Sequence, residues 1–162
     1  MKSDCLPILQ QDQAAILALN NAYATELSWL DAARLDWMLG QAFHARQIGQ
    51  AEAFLLAFDE STDYDSPNYL WFRKRHPRFV YVDRIAVAQA SRGHGSARRL
   101  YADLFTSAVA ALHEVVVCEV NISPPNPASD AFHAALGFDE VGRAAIHGGS
   151  KTVRYLARTL PR

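Results

Sequence analysis

The chain has 162 residues, half of them hydrophobic, and a formal net charge of −1. That length buries a sizeable core within one domain, taken as residues 1–162, and the near-neutral balance argues against nucleic acid as the main partner. The two cysteines, Cys5 and Cys118, are too few and too far apart for a disulfide framework or a cysteine metal site, so no metal is expected and a reducing compartment fits.

The first residues, MKSDCLPILQQDQ, hold no apolar run of signal-peptide length. No stretch approaches the roughly 18 apolar residues of a membrane span, which points to a cytoplasmic protein with no membrane partner. Residues 6–9 read as a short strand. Ile16, Leu19, Tyr23 and Leu27 then recur at helical spacing behind an Asp12 cap. Ser28 is placed to cap a second helix with Leu35, Met38 and Leu39 on its apolar face and Gly40 near its end, Trp29 and Trp37 being packing groups. Residues 43–48 and 51–58 bracket Gly49 and Gln50 as two strands joined by a two-residue hairpin.

Residues 59–78 lack a regular period and carry turn chemistry at Asp65, Ser66, Pro67 and Asn68, so they read as a long loop. Its aromatic content, with Tyr64, Tyr69, Trp71 and Phe72, makes it functional rather than disordered. Arg73, Lys74, Arg75, His76 and Arg78 form a basic run, a solvated face or a phosphate contact. A strand over 79–88 precedes a helix from Ser96 in which Leu100, Leu104, Ala108 and Leu112 form one stripe, flanked by Tyr101 and Phe105. Residues 114–122 are a β-branched strand buried on both sides and joined to its neighbour through that helix. Asn126 with Pro127 caps and opens the next helix, and strands around 140–147 and 152–160 close the chain across Gly148 and Gly149.

The most informative stretch is FVYVDRIAVAQASRGHGSA, residues 79–97, a strand that runs through a glycine turn into an amphipathic helix. A helix start leaves its first N–H groups unpaired and partly positive, so this geometry suits an anion, although a tight connection alone would look similar. It is neither a Walker loop, since no Lys-Ser or Lys-Thr follows the glycines, nor GxGxxG, since Arg98 takes the third place. Arg92, Gly95 and Ala97 fit the pyrophosphate loop of the GNAT N-acetyltransferase superfamily, which the stretch resembles. A second block, NPASDAFHAALGF at 126–138, is similar to a later element of the same family. The resemblance runs from Cys5 to Leu160 in order of elements, the two blocks being its specific part.

The resemblance implies an α/β fold, a GNAT-like mixed and largely antiparallel central sheet flanked by about four helices. It also implies acetyl-CoA as cosubstrate. Arg92, Gly93, His94, Gly95, Ser96 and Ala97 would take the diphosphate, Ile85, Ala86 and Val87 the pantetheine arm, and Asn126 the pantetheine or its phosphate besides capping its helix. The basic run is a candidate for the adenosine phosphates. The expected reaction is acetyl transfer to a primary amine of a small molecule, amino acid or peptide by direct attack in a ternary complex. A non-catalytic acyl-CoA-binding or sensing module is the alternative.

Such a transfer needs a neutral amine and a stabilised thiolate. Asp83, which period-two counting puts on the face of Ile85 and Val87, matches a position where family members carry a carboxylate; Glu119 on the next strand competes with it as base. His133 stands where the family often has a tyrosine acid, either donating a proton while charged or hydrogen-bonding the thiolate while neutral. Tyr101 reads as core and Cys118 as inert packing. For the substrate, Asp63 and Asp65 in an acidic half-loop with Tyr69 and Trp71 beyond them are candidates to wall a cationic-amine pocket, a solvated turn being the alternative. Exposed strand edges allow a homodimer.

Overall fold

The computed structural model describes residues 4–161; residues 1–3 and 162, the ends of the expected domain, lie outside the described residues. Among the described residues, seven strands form one sheet: β1 (Cys5–Pro7), β2 (His44–Ile48), β3 (Ala53–Asp59), β4 (Val80–Val87), β5 (Val115–Ser123), β6 (Asp139–Ile146) and β7 (Lys151–Thr159). Their spatial order is β1-β2-β3-β4-β5-β7-β6, with every neighbouring pair antiparallel except β4 and β5.

Strand alternation divides the core into two layers. In β3, Phe54, Leu56 and Phe58 belong to one and Ala53, Leu55 and Ala57 to the other; in β5, Val115 and Val117 oppose Val116, Cys118 and Val120. The first layer is closed by α1 (Gln13–Ala22), α3 (Ala32–Gln41) and α4 (Pro67–Arg73) through Ile16, Leu19, Leu35, Met38, Tyr69 and Phe72. The second is closed by α5 (Ser96–Ala110) through Leu100, Tyr101, Leu104 and Ala108, with Phe138 following α6 (Pro127–Ala135). A short α2 (Ala24–Leu27) follows α1. Burying a large apolar side chain is worth about 1.5–3 kcal/mol, so these two layers fix how the sheet can open.

It opens between β4 and β5. The two strands pair only at Val80↔Val116 and Tyr81↔Val117, while each keeps its outer partner along its length. Beyond Tyr81 they diverge into a V whose inner edges carry backbone groups with no strand partner, a wide polar slot in an otherwise closed sheet.

The sheet, its mixed character and the chain order agree with the expected architecture, and the differences are local. Six α-helices are present among the described residues rather than about four. The expected loop over 59–78 contains α4, with Ser66 at the N-cap position, Pro67 opening the first turn and Asn68, Tyr69 and Phe72 turned inward. Ser-Pro-Asn starts a helix as readily as it makes a turn, and seven residues are too few to show a period. The cap before α3 is Asp31, whose Oδ1 accepts from Arg34 N at 2.7 Å; Ser28 instead bends the chain at φ 68°. The β2–β3 connection spans four residues, 49–52, and Asp12 spends its carboxylate on Leu9 N and Gln47 Nε2 rather than on α1. Leu112, assigned to the α5 stripe, lies past the helix end and is 77% exposed. No helix among the described residues is long and apolar enough to cross a membrane.

Candidate active site

The V leads into a cleft of about 1170 Å³. At its mouth, Gly93 and Gly95 adopt φ of 84° and 74°, and a Cβ built on either would meet nothing within 4 Å. The left-handed backbone, not crowding by protein, is what requires glycine here. The turn delivers the start of the 15-residue α5, with its unpaired N–H groups and dipole, to the cleft. Of the residues the sequence assigns to the coenzyme, Ile85, Ala86 and Val87 line one rim, Arg92, Gly93, Gly95, Ser96 and Ala97 the mouth, and Asn126 also borders the cleft. Asn126 caps α6 by accepting from Ser129 N at 3.3 Å. Arg92 reaches Val87 O at 3.5 Å and lies 5.1 Å from the Tyr23 ring centroid. His94 is exposed and off the cleft lining, its Nδ1 3.3 Å from Ser91 O.

Asp83 does not share the face of Ile85 and Val87. The β3–β4 register pairs Leu56 with Arg84 and Ala57 with Val82, so Asp83 is the extra residue of a β-bulge. Period-two counting fails at such an insertion. The bulge turns Asp83 and Arg84 together toward the layer that holds Tyr81 and Ala86, where Arg84 Nε donates to Asp83 Oδ2 at 2.6 Å and Tyr64 OH donates to Oδ1 at 2.7 Å. Arg84 is 6% exposed and its Nη1 also donates to Asn20 Oδ1 at 2.8 Å. A buried guanidinium thus balances the Asp83 charge.

Glu119 reaches the same side of the sheet from β5, and its hydrogen-bond partners are neutral. Tyr81 OH lies 2.9 Å from Oε1 and 2.8 Å from Oε2, and Asn68 Nδ2 donates to Oε1 at 3.1 Å. Burial pushes its carboxyl up to about 8, with Asp83 adding to the rise while Tyr81, Asn68 and the more distant Lys151 oppose it. A carboxyl with that value exchanges protons near neutral pH.

On the other side of the sheet the cleft is bordered by His133, Tyr101 and Cys118. His133 Nδ1 lies 2.8 Å from Ser129 O, which only accepts, so the partners assign the ring proton to Nδ1. Its Nε2 then accepts from Tyr101 OH at 2.8 Å. Burial lowers the His133 pKa, which favours the neutral ring over the charged donor. Tyr101 is core, as its sequence position suggests, yet it also borders the cleft. Burial pushes the Cys118 thiol well up, consistent with a packing group.

The acidic half-loop is only partly at the cleft. Asp65 lines it and lies 3.7 Å from Arg34 Nη2, whereas Asp63 is exposed away from it. Tyr69 is buried in the first core layer and donates to Asp59 O at 2.7 Å and Thr62 O at 2.9 Å. Trp71 stacks on Tyr155 at 4.2 Å under the Arg75 guanidinium, and a Cβ on Gly142 would come within 2.4 Å of it. Helical rather than loop geometry is the reason these two side chains pack instead of walling a pocket. None of the basic run borders the cleft; Arg78 holds Glu60 and the carbonyls of Ala111 and Leu112. Sequence reasoning missed Tyr64, Asn68 and Tyr81 beside the carboxylates, and Glu26, Trp29 and Arg34 at the outer cleft. The Ser-Pro-Asn helix start was the available signal for Asn68.

The profile described as the acetyltransferase (GNAT) family matches residues 20–138, and the chain belongs to that family. Solved structures with the same fold include the ribosomal-protein-S18-alanine N-acetyltransferase from Escherichia coli, at 16% identity and TM-score 0.70 over 98% of this chain and 94% of that chain. Ard1 from Thermoplasma volcanium aligns at 12% identity and TM-score 0.77 over 98% and 97%. Arabidopsis thaliana NAA60 in complex with acetyl-CoA aligns at 13% and 0.75 over 96% and 98%. No curated protein matches the chain.

Proposed function

We propose that the protein transfers the acetyl group of acetyl-CoA to a primary amine of a small molecule, amino acid or peptide by direct attack in a ternary complex. The observation that carries this reading is Glu119, a carboxyl held by neutral donors at the split between β4 and β5, beside a glycine turn that opens a helix. The diphosphate sits on the N–H groups of the turn at residues 93–97 with Arg92 beside it. The pantetheine arm follows the unpaired edge of β4 at Ile85, Ala86 and Val87, extending the sheet by hydrogen bonds that β5 leaves free.

The amine approaches from the side of α1, α3 and α4. Glu119 accepts its proton, the nitrogen attacks the thioester carbonyl carbon, and the C–S bond breaks. Asp83, held by Arg84 and Tyr64, orients the site rather than serving as the base. On the opposite side, the Tyr101 hydroxyl turns its one hydrogen from Nε2 of the neutral His133 to the departing sulfur and leaves it as the thiol, and the second proton, shed by the newly acylated nitrogen, restores the hydroxyl. A base near 8 matches α-amino groups, at about 7.7–8.0, better than lysine, at about 10.4. Amino acids and peptide N-termini therefore head the acceptor panel, in keeping with the alanine N-acetyltransferase among the structural relatives.

The test is thiol release from acetyl-CoA across that panel, with calorimetry for the coenzyme alone. Release that depends on the amine supports the transferase. Binding of coenzyme with no release above background for any amine supports the sensing module instead, and absence of coenzyme binding removes both.

A further inference from the structure

Asn68 and Tyr155 stand apart from the residues assigned so far. Tyr155 on β7 is the cross-strand neighbour of Glu119, yet its hydroxyl bypasses the carboxyl and donates to Asn68 Oδ1 at 2.8 Å. Its ring is clamped between Trp71, stacked at 4.2 Å, and Phe72, edge-on at 5.1 Å. With Oδ1 so engaged, the carboxamide presents Nδ2 to Glu119 Oε1 at 3.1 Å. Reversing the amide would set its oxygen against the carboxylate, which is repulsive whenever Glu119 is charged.

We infer that Tyr155 and Asn68 form a positioning relay that favours the ionised form of Glu119 and directs the incoming proton to Oε2. The single Tyr81 O–H is shared between Oε1 at 2.9 Å and Oε2 at 2.8 Å, so the Asn68 amide is the donor that distinguishes them: it occupies Oε1, and Oε2 keeps the freer lone pairs. The charged groups acting on Glu119 are Asp83 from β4, which opposes ionisation, and Lys151 from β7, which favours it. The remaining titratable neighbours are Tyr81 on β4, Tyr155 on β7, Tyr64 ahead of α4, Tyr101 on α5 and Cys118 on β5 itself. Burial raises all five, which therefore stay protonated where Glu119 titrates. The relay explains why α4, a seven-residue helix, is pinned over the split by stacked aromatics: it carries the amide to the carboxyl.

The inference rests on Glu119 as the base, and the experiment separates the two. The pH dependence of kcat/KM is measured for the protein and for Tyr155→Phe, Asn68→Ala and the double variant, with Glu119→Gln as reference. Asn68→Ala removes a hydrogen bond to the charged carboxylate and should move the acid limb upward by about 1 to 2 pH units, and Tyr155→Phe, which acts only through the amide, should move it in the same direction by less. Activity lost at neutral pH should return at high pH. In the Asn68→Ala background Tyr155→Phe should add nothing, because the hydroxyl acts only through the amide. The ¹³C titration of the Glu119 carboxyl, assigned by its loss in Glu119→Gln, should move in each variant by as much as that variant's acid limb, independently of turnover. An unmoved limb and titration in Tyr155→Phe, or additive shifts in the double variant, overturns the relay. Full activity in Glu119→Gln overturns the base instead. Tyr155→Phe removes one oxygen and keeps the stacked ring, so it carries the test even if Asn68→Ala fails to fold.

Discussion

Asp83 and Glu119 lie on the same side of the sheet, one on each strand of the V, but the first meets a buried guanidinium and a tyrosine while the second meets a tyrosine and an amide. Residue type is shared, and the difference is the charge of the partner. A carboxylate locked to Arg84 contributes structure, because the ion pair must survive for the buried arginine to be tolerated. A carboxyl without a cation in contact is free to change its charge, which a base has to do in every cycle. The bulge at Asp83 creates the contrast by turning Arg84 to the same side as its neighbour.

The largest effect that tests this contrast is expected for Glu119→Gln, which keeps size and shape but removes the base. Loss of kcat/KM by about 10² to 10⁴, with a thermal midpoint that is not lowered, is the expected outcome of steady-state kinetics and calorimetry. Asp83→Asn should do the reverse in kind. Leaving Arg84 buried with half of its pair costs about 3–5 kcal/mol of stability, readable in denaturant unfolding, with a smaller loss of turnover than Glu119→Gln. A folded Asp83→Asn that loses more turnover than Glu119→Gln would exchange the two roles.

Much of this was legible from residues alone, for reasons that differ from place to place. The glycine turn and the 126–138 block announce themselves because their backbone conformations admit few residue types: Gly93 and Gly95 sit at positive φ, and Asn126 with Pro127 is a helix start. The side of the sheet that Asp83 occupies was not legible, since an inserted residue changes no composition and only the register with β3 exposes it. Tyr69 and Trp71 were misplaced because α4 is too short to display a period, and with α4 went Asn68 and the environment of Glu119. Tyr101 was half legible. Its stripe position gave the buried ring correctly, while the hydroxyl on His133 Nε2 depends on a helix 32 residues away.

The next effect is on pH dependence. Activity should rise with pH as Glu119 loses its proton through about 8. Stability should move oppositely. In the unfolded chain a glutamate titrates near 4.3, so between roughly that pH and about 8 the unfolded chain gives up a proton that the folded protein retains. Stability contributed by the neutral carboxyl is therefore complete below the unfolded value and is lost as pH rises through the folded one. Thermal melts from pH 5 to 9 should show this decline in the protein and a flatter dependence in Glu119→Gln; equal slopes in both would place the titration elsewhere.

The smallest effect separates the two ends of the cleft. Gly95 holds φ of 74° at the start of α5, where an added Cβ meets no atom within 4 Å. In Gly95→Ala the penalty is therefore conformational, about 1–2 kcal/mol for an L-residue in the left-handed region, and it can be relieved only by turning the peptide away from that region. The N–H groups that open α5 would then lose their alignment toward the cleft. Weakening of acetyl-CoA binding by about tenfold, the equivalent of about 1.4 kcal/mol, is expected by calorimetry. The acid limb governed by Glu119 should stay in place, because its hydrogen bonds come from Tyr81 and Asn68 and not from the turn. A limb that moved with this substitution would mean that coenzyme grip and proton acceptance are coupled through the strands of the V, and the contrast between Asp83 and Glu119 would then belong to the whole cleft rather than to their immediate partners.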